Sequence, residues 1–318
     1  MSQIKLRFVK NYARLLIRNA FRQIRQLLQP EISNLKFLLG QSSILSSRAL
    51  SQNFNFLWDA EVKVYSQWGE DGILDYICET VGASKPNVVE IGAGNFIECN
   101  SRFLAEFRGA NVLLVDTRKD LTITAMNSSI YWKSQIIPHV EWVTPNNIND
   151  IISIGKKEFG KIDILSIDLD GNDYWVLKSA NLLDIDVLVV EYNAIFGSVR
   201  AVTIPRNDKF DRFSAHFSGL YYGASLRAFV NLLESKGYIF LGTNRVGNNA
   251  FFIKHNLREK FKITVPVNLE KFVDWRVRDS RDKDGRLSYL NKNDRVNIIG
   301  DLPLLEVPTG KLINLNNL

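Results

Sequence analysis

The chain has little of the two residue types that hold metals through sulfur and imidazole, with two cysteines and three histidines in 318 residues. Cys78 and Cys99 stand too far apart for a Cys-x-x-Cys site and are too few for a disulfide framework, which excludes a thiolate zinc centre and a disulfide-built secreted domain. They read as free thiols in a reducing compartment. Long apolar runs are missing as well. No window holds eighteen apolar residues, so no spanning helix is expected, and the amino terminus lacks the apolar core and small-residue cleavage site of a signal peptide. The expected location is cytoplasmic. Basic charge is absent as an excess from most of the chain. The formal net charge is +6, but residues 1–50 carry nine Lys or Arg against one acid, Glu31, leaving 31 bases and 33 acids for the rest. A body without basic excess argues against a nucleic-acid partner.

Against these absences stands one local pattern. The run Val88-Val89-Glu90-Ile91-Gly92-Ala93-Gly94, followed by Val112-Leu113-Leu114-Val115-Asp116, couples two buried strands to a glycine turn and two spaced acids. A tight Gly-x-Gly turn at the carboxyl end of a central parallel strand lets backbone approach a ligand closely, and Asp116 suits a ribose diol. An ordinary strand-turn-helix is the alternative for a lone Gly-x-Gly. The dinucleotide fingerprint is broken, because Ile97 stands where its third glycine belongs. Glu90 also argues against a pyrophosphate. An acidic pocket fits a cationic cofactor instead, and S-adenosylmethionine carries a sulfonium and an amino group with no phosphate.

Residues 4–28 are predicted to form an amphipathic helix, with Val9, Tyr12, Ala13, Leu16, Ala20, Ile24 and Leu27 on one side and Arg7, Arg14, Arg18, Arg22 and Arg25 on the other. Such a helix can lie in the interface of an anionic membrane, each base adding about 1 kcal/mol. Alternatively its apolar side packs on the body or on a second copy of the chain. Pro30 ends it, and the Ser-, Gln- and Asn-rich stretch over 40–55 reads as a linker, closing a segment of residues 1–55. From 56 to 255 apolar runs alternate with helical segments, the signature of a parallel sheet covered on both faces. Strands are predicted at 87–91, 111–116, 135–143, 162–168, 186–192, 237–243 and 249–254. The last two are joined by Asn244-Arg245-Val246-Gly247-Asn248, too short for a crossover, so they must pair as an antiparallel hairpin. Residues 256–318 show no clear period and read as an irregular extension.

Three strings carry a resemblance to a known family. They are Tyr65-Ser66-Gln67-Trp68-Gly69-Glu70-Asp71-Gly72, Ile167-Asp168-Leu169-Asp170-Gly171-Asn172-Asp173-Tyr174, and Tyr222-Gly223-Ala224-Ser225-Leu226, completed by Gly247-x-Asn249-Ala250-Phe251-Phe252. Over residues 58–255 the chain resembles the class I S-adenosylmethionine-dependent methyltransferases, most closely an uncharacterised group allied to the FkbM-type enzymes. The resemblance implies a Rossmann-like α/β fold, with a seven-stranded, mostly parallel sheet in the order 3-2-1-4-5-7-6, its last strand antiparallel and helices on both faces. It implies that Glu90, Gly92 and Gly94 line the methionine part of the cofactor, that Asp116 binds the ribose, and that Gln67 and Glu70 close over the methionine end. Asp168 would join this pocket. For Gln67 and Glu70 the alternative is a helix amino-terminal cap.

Asp168, Asp170 and Asp173 follow the fourth strand, Glu191 and Asn193 the fifth, and parallel topology brings both groups to one edge of the sheet. Hard oxygen ligands gathered there suit Mg²⁺, with Asp168, Asp170, Glu191 and Asn193 as candidate ligands. The string is similar to that of the metal-dependent sugar O-methyltransferases of macrolide biosynthesis. It differs in having Tyr192 and Asn193 after Glu191, where those enzymes have paired acids. A solvated loop, with Asp173 opening the next helix, is the alternative. Asp168, Asp170 and His216 are the candidate catalytic groups, since methyl transfer to oxygen requires the proton to leave. His216 lies in the insertion 194–222, where an acceptor lid is expected. Arg200, Arg206 and Arg212 there would bind an anionic acceptor or serve as surface charge, and Tyr221 and Tyr222 would stack on a sugar or fill the core.

The expected function is a Mg²⁺-assisted O-methyltransferase acting on a sugar hydroxyl of a surface glycan or its lipid-linked precursor, held near the membrane by residues 4–28. Two alternatives stay open: a metal-independent enzyme with a small-molecule, lipid or peptide acceptor, and a non-catalytic scaffold in glycan assembly.

Overall fold

The computed structural model describes residues 35–128, 130–274, 276 and 279–317. The chain divides into two compact units, Met1–Ser46 and Ser47–Leu318. The helix expected over 4–28 lies outside the described residues. Residues 35–50 are helical (α1) and Ser51–Asn53 form a 3-10 turn, so most of the expected linker is a helix. Its serines do not break it, because Ser43 and Ser46 hydroxyls donate to the carbonyls of Leu39 and Ser42 at 2.9 Å and so stay satisfied inside the helix.

The second unit is built on strands β1 (Asn87–Ile91), β2 (Asn111–Asp116), β3 (Ile136–Val140), β4 (Ile164–Ile167), β5 (Val187–Glu191), β7 (Tyr238–Thr243) and β8 (Asn249–Lys254). They form one sheet in the order β3-β2-β1-β4-β5-β8-β7. The first five are mutually parallel, and β8 runs antiparallel to both β5 and β7. This is the order and orientation expected of the class I methyltransferase plan. Val- and Ile-rich runs buried on both faces account for it. Val89, Ile91, Leu113, Val115, Leu165 and Ile167 enter one core, and their neighbours Val88, Val112, Leu114 and Ile164 enter the other, as the two-residue period of a strand requires. Helix α2 (Glu70–Val81) precedes β1, and α3 (Arg102–Arg108), α4 (Leu121–Met126), α5 (Ile148–Phe159), α6 (Asp173–Ser179) and α8 (Leu226–Ser235) connect the strands. The order of connection reverses between β1 and β4, so the loops after these strands diverge and leave a crevice.

The extension 256–318 is more regular than expected. It holds helix α9 (Lys292–Ile299) and a hairpin of β9 (Pro303–Glu306) and β10 (Lys311–Asn314), while the insertion after β5 holds β6 (Val202–Thr203) and the short α7 (Arg212–Ala215). β9 pairs with β10 and also with β6, where Val202 lies opposite Glu306. A third core of Phe196, Val202, Ile204, Leu220, Ile299 and Leu304 lies with this small sheet. Partners a hundred residues apart leave no local period to read.

Candidate active site

The site grows from the turn after β1. Gly92 sits at φ +84°, and its N–H donates to the Val115 carbonyl at 2.9 Å. A Cβ there would come within 1.6 Å of the Asp168 carbonyl oxygen, so two strand exits meet at a position only glycine can fill. Gly94, at φ +60°, faces open space, and its N–H donates to Asp116 Oδ2 at 2.8 Å. Asp116 Oδ1 accepts from the Arg118 N–H at 2.9 Å. Each carboxylate oxygen keeps a second lone pair, which leaves Asp116 able to accept from a diol.

Gly92, Gly94, Asp116, Trp142, Asp168 and Phe210 are among the residues lining a cavity of about 330 Å³. A strap from the insertion crosses its rim. Trp142 Nε1 donates to the Asp208 carbonyl at 2.7 Å, Arg206 donates to Asn146 at 3.1 Å, and Asn172 donates to the Asn207 carbonyl. Phe210 packs so closely on Gly171 that a Cβ there would lie 2.3 Å from its ring. A second cavity of about 420 Å³ is lined by Gln67, Trp68, Glu191, Arg212, Tyr222 and Asp279, among others. Asp168 and Asp170 line both cavities. A ligand in one can therefore meet a ligand in the other at these acids.

Asp173 shapes the acid loop. Its two oxygens accept the N–H groups of Leu169 at 2.7 Å and Gly171 at 2.9 Å, with Asp170 between them at a left-handed φ of +52°. Burial pushes the Asp173 carboxyl up to about 6. One oxygen each of Asp168, Asp170 and Glu191 lies within 4.8 Å of the others. Burial first, and repulsion by neighbouring acids second, raise Asp168 and Glu191 well above the usual carboxylate range, so a proton or cation between them is favoured. Glu191 is 7% exposed, and its Oε2 has no hydrogen-bond partner among the described residues. An orphaned buried oxygen beside two other hard oxygens fits a divalent hard cation. Arg212 already supplies one positive charge, with Nη1 on Asp170 at 2.5 Å and Nη2 on Asp279 at 3.2 Å. Burial alone would lower its pKa, but the groups around it raise it.

Of the expected residues, Gly92, Gly94 and Asp116 line the first cavity, Asp168 and Asp170 both, and Glu191 and Gln67 the second, so Gln67 lies in the wall of the second cavity and not in that of the cavity with the glycine turn. Four other candidates line neither. Glu70 accepts from the N–H groups of Trp68 and Gly69 on one oxygen and from Asn244 and Asn249 on the other, which ties the start of α2 to the hairpin as the capping alternative foresaw. Glu90 accepts the N–H groups of Asn100 at 2.7 Å and Ser101 at 2.9 Å, since the amino-terminal end of α3 draws the acid to itself. Asn193 is no ligand candidate in this arrangement. Its amide donates to the carbonyls of Leu220 and Tyr222 and its oxygen accepts from Ile195, anchoring the insertion. His216 lines neither cavity and pairs Nδ1 with the Ser218 hydroxyl at 2.8 Å, so it is withdrawn as a base.

Sequence reasoning missed Trp142, Phe210, Trp68 and Asp279. An aromatic just past the third strand on the active edge is a readable signal for Trp142; nothing local marks Asp279.

No protein-family model and no curated protein matches the chain. Solved structures similar to it include a fibrillarin pre-rRNA processing protein of Methanococcus jannaschii, at 11% identity over 54% of this chain and 67% of that one, TM-score 0.35. Human N-acetylserotonin methyltransferase in complex with SAM is 12% identical over 58% and 53%, TM-score 0.31. An O-methyltransferase family 2 protein from Planctomyces limnophilus, in complex with apigenin, is 12% identical over 70% and 65%, TM-score 0.34. The chain spans about half to two thirds of the length of these structures. These are distant likenesses, and the chemistry of the site follows from its own residues.

Proposed function

We propose that the protein is an S-adenosylmethionine-dependent O-methyltransferase, assisted by Mg²⁺, that methylates a sugar hydroxyl of a surface glycan or its lipid-linked precursor. The observation that carries this reading is the convergence of Asp168, Asp170 and Glu191 between two cavities, one of them floored by a glycine turn and a ribose-competent acid. The cofactor, when bound, supplies an electrophilic methyl group on a sulfonium. Transfer breaks the methyl carbon–sulfur bond as the bond to the acceptor oxygen forms, and the hydroxyl proton leaves. Asp168 and Glu191, which line the second cavity, would take that proton. Asp168, Asp170 and Glu191 would hold the cation, whose chemistry is to lower the pKa of a hydroxyl beside it. Trp142 and Phe210 flank the cofactor cavity and limit water there. The sugar acceptor rests on the resemblance of the acid string to sugar O-methyltransferases.

Calorimetric titration tests the reading. S-adenosylhomocysteine is expected to bind the full chain, and Asp116→Ala to weaken it by roughly 10- to 100-fold, the worth of hydrogen bonds to a charged group. No binding to folded wild-type protein would leave the scaffold reading in its place. A second titration with Mg²⁺ decides the metal, and absence of binding there selects a metal-independent enzyme, which Arg212 on Asp170 also favours.

No helix among the described residues is long and apolar enough to cross a membrane. Peripheral contact through residues 4–28 is part of the proposal, motivated by the arginines that their sequence spaces at helical intervals. Deleting residues 1–40 is expected to abolish co-sedimentation with anionic liposomes; unchanged sedimentation would remove the membrane from the account.

A further inference from the structure

The second cavity carries information about its occupant. Among the described residues, four carboxylates line it, from Asp168, Asp170, Glu191 and Asp279, against the guanidinium of Arg212. Arg212 has donors turned to protein on three sides: Nε to the Gly219 carbonyl, Nη1 to Asp170 and Nη2 to Asp279, with its plane over the Tyr222 ring at 4.1 Å. The other two arginines considered for an anionic acceptor are engaged elsewhere, Arg200 with Glu306 and Arg206 with Asp208, each at 2.7 Å. Neither lines this cavity. On the acid side the balance is reversed. The Glu191 Oε2 atom and, on a side chain that is 43% exposed, the Asp279 Oδ1 atom are shielded from solvent and have no partner among the described residues.

Resting on the methyltransferase reading above, we propose that this cavity receives an acceptor bearing an amine near the hydroxyl to be methylated, an aminosugar-type ligand, and that Asp279 is the residue that selects it. A carboxylate or phosphate on the acceptor would meet four acids and a guanidinium whose charge is already shared. A neutral polyol would satisfy the orphan oxygens but leave the charge excess. An ammonium supplies hydrogen-bond donors and charge together. Asp279 keeps this role when a cation sits among Asp168, Asp170 and Glu191, because it is not one of that trio. The role also gives the carboxyl-terminal segment a function: it contributes Asp279 and Leu287 to the cavity wall.

The test uses the full chain saturated with S-adenosylhomocysteine and three probes: the methyl glycosides of glucosamine, glucose and glucuronic acid, titrated by ligand-observed NMR. The amine is expected to bind about tenfold or more tighter than the neutral sugar, and the uronide not at all. Asp279→Asn keeps the shape and removes the charge. It should abolish the preference for the amine while S-adenosylhomocysteine binding is unchanged, which a merely structural role would not do. If that variant fails to fold, Asp279→Glu is expected to keep the rank order. Uronide binding equal to that of the amine, no preference between amine and neutral sugar, binding of none of the three, or a preference untouched by Asp279→Asn would overturn the proposal. Failure of wild-type protein to bind S-adenosylhomocysteine would instead overturn the methyltransferase reading.

Discussion

Gly92→Ala is expected to abolish binding of S-adenosylhomocysteine and to lower the unfolding free energy by about 3 kcal/mol or more. Two costs act together. An alanine at φ +84° enters a left-handed conformation that costs about 1–2 kcal/mol for a residue with a Cβ. The Cβ itself would overlap backbone, 1.6 Å from the Asp168 carbonyl oxygen and 2.7 Å from its carbon. No flexible side chain is available to yield, so either the turn or the exit of β4 must move. The Asp168 N–H is bonded to the Ile91 carbonyl at 2.9 Å, which makes the two segments shift as a unit and carries Asp168 out of both cavities. Gly94→Ala is the control. It has the left-handed φ but meets no atom within 4 Å, so only the conformational cost remains and the protein should stay folded. Denaturant unfolding with calorimetry distinguishes the two variants, and a stable, binding-competent Gly92→Ala would refute the packing argument.

The contrast between those glycines also shows what a sequence can disclose. The strands were legible because each is a short run whose apolar residues face two cores, as in Val88 to Ile91 and Val187 to Val190. The hairpin was legible because five residues cannot make a crossover. That Asp116, Asp168, Asp170 and Glu191 lie at one edge was legible because parallel topology sends every strand's carboxyl end there. Side-chain direction was not legible. Glu70 and Glu90 have the right type and spacing for a cofactor, yet backbone N–H groups at the starts of α2 and α3 claim them. The partners that settle Glu70, Asn244 and Asn249, lie 174 and 179 residues away in sequence. Asp279 reaches the site through Arg212, 67 residues earlier, and β9 through β6, across about a hundred residues. Contacts of that span have no period and no motif.

Glu191→Gln separates ligand from scaffold most sharply, because activity and stability are expected to move in opposite directions. Glu191 ends β5 and is fixed by its pairing with Asn249 on β8, so the amide should occupy the place of the acid. If Glu191 has the proposed role, turnover should fall by about 10²- to 10⁴-fold, the usual scale for removing a general base, and the proposed Mg²⁺ site should lose a ligand. Stability should rise by about 1–2 kcal/mol at neutral pH, since a buried acid with an orphaned oxygen, held beside Asp168 and Asp170, is replaced by a neutral group with donors to offer them. Asp173→Asn is expected to do the reverse. That acid holds the N–H groups of Leu169 and Gly171, and an amide can accept from only one of them, so the loop loosens and stability drops. Urea midpoints in EDTA and in excess Mg²⁺ read both stability changes without any acceptor. Wild-type protein should gain stability from the cation by mass action, and Glu191→Gln should not. A Glu191→Gln protein that is less stable than wild type in EDTA would mean that the acid is a structural tie, and the trio of carboxylates would then carry no argument for catalysis.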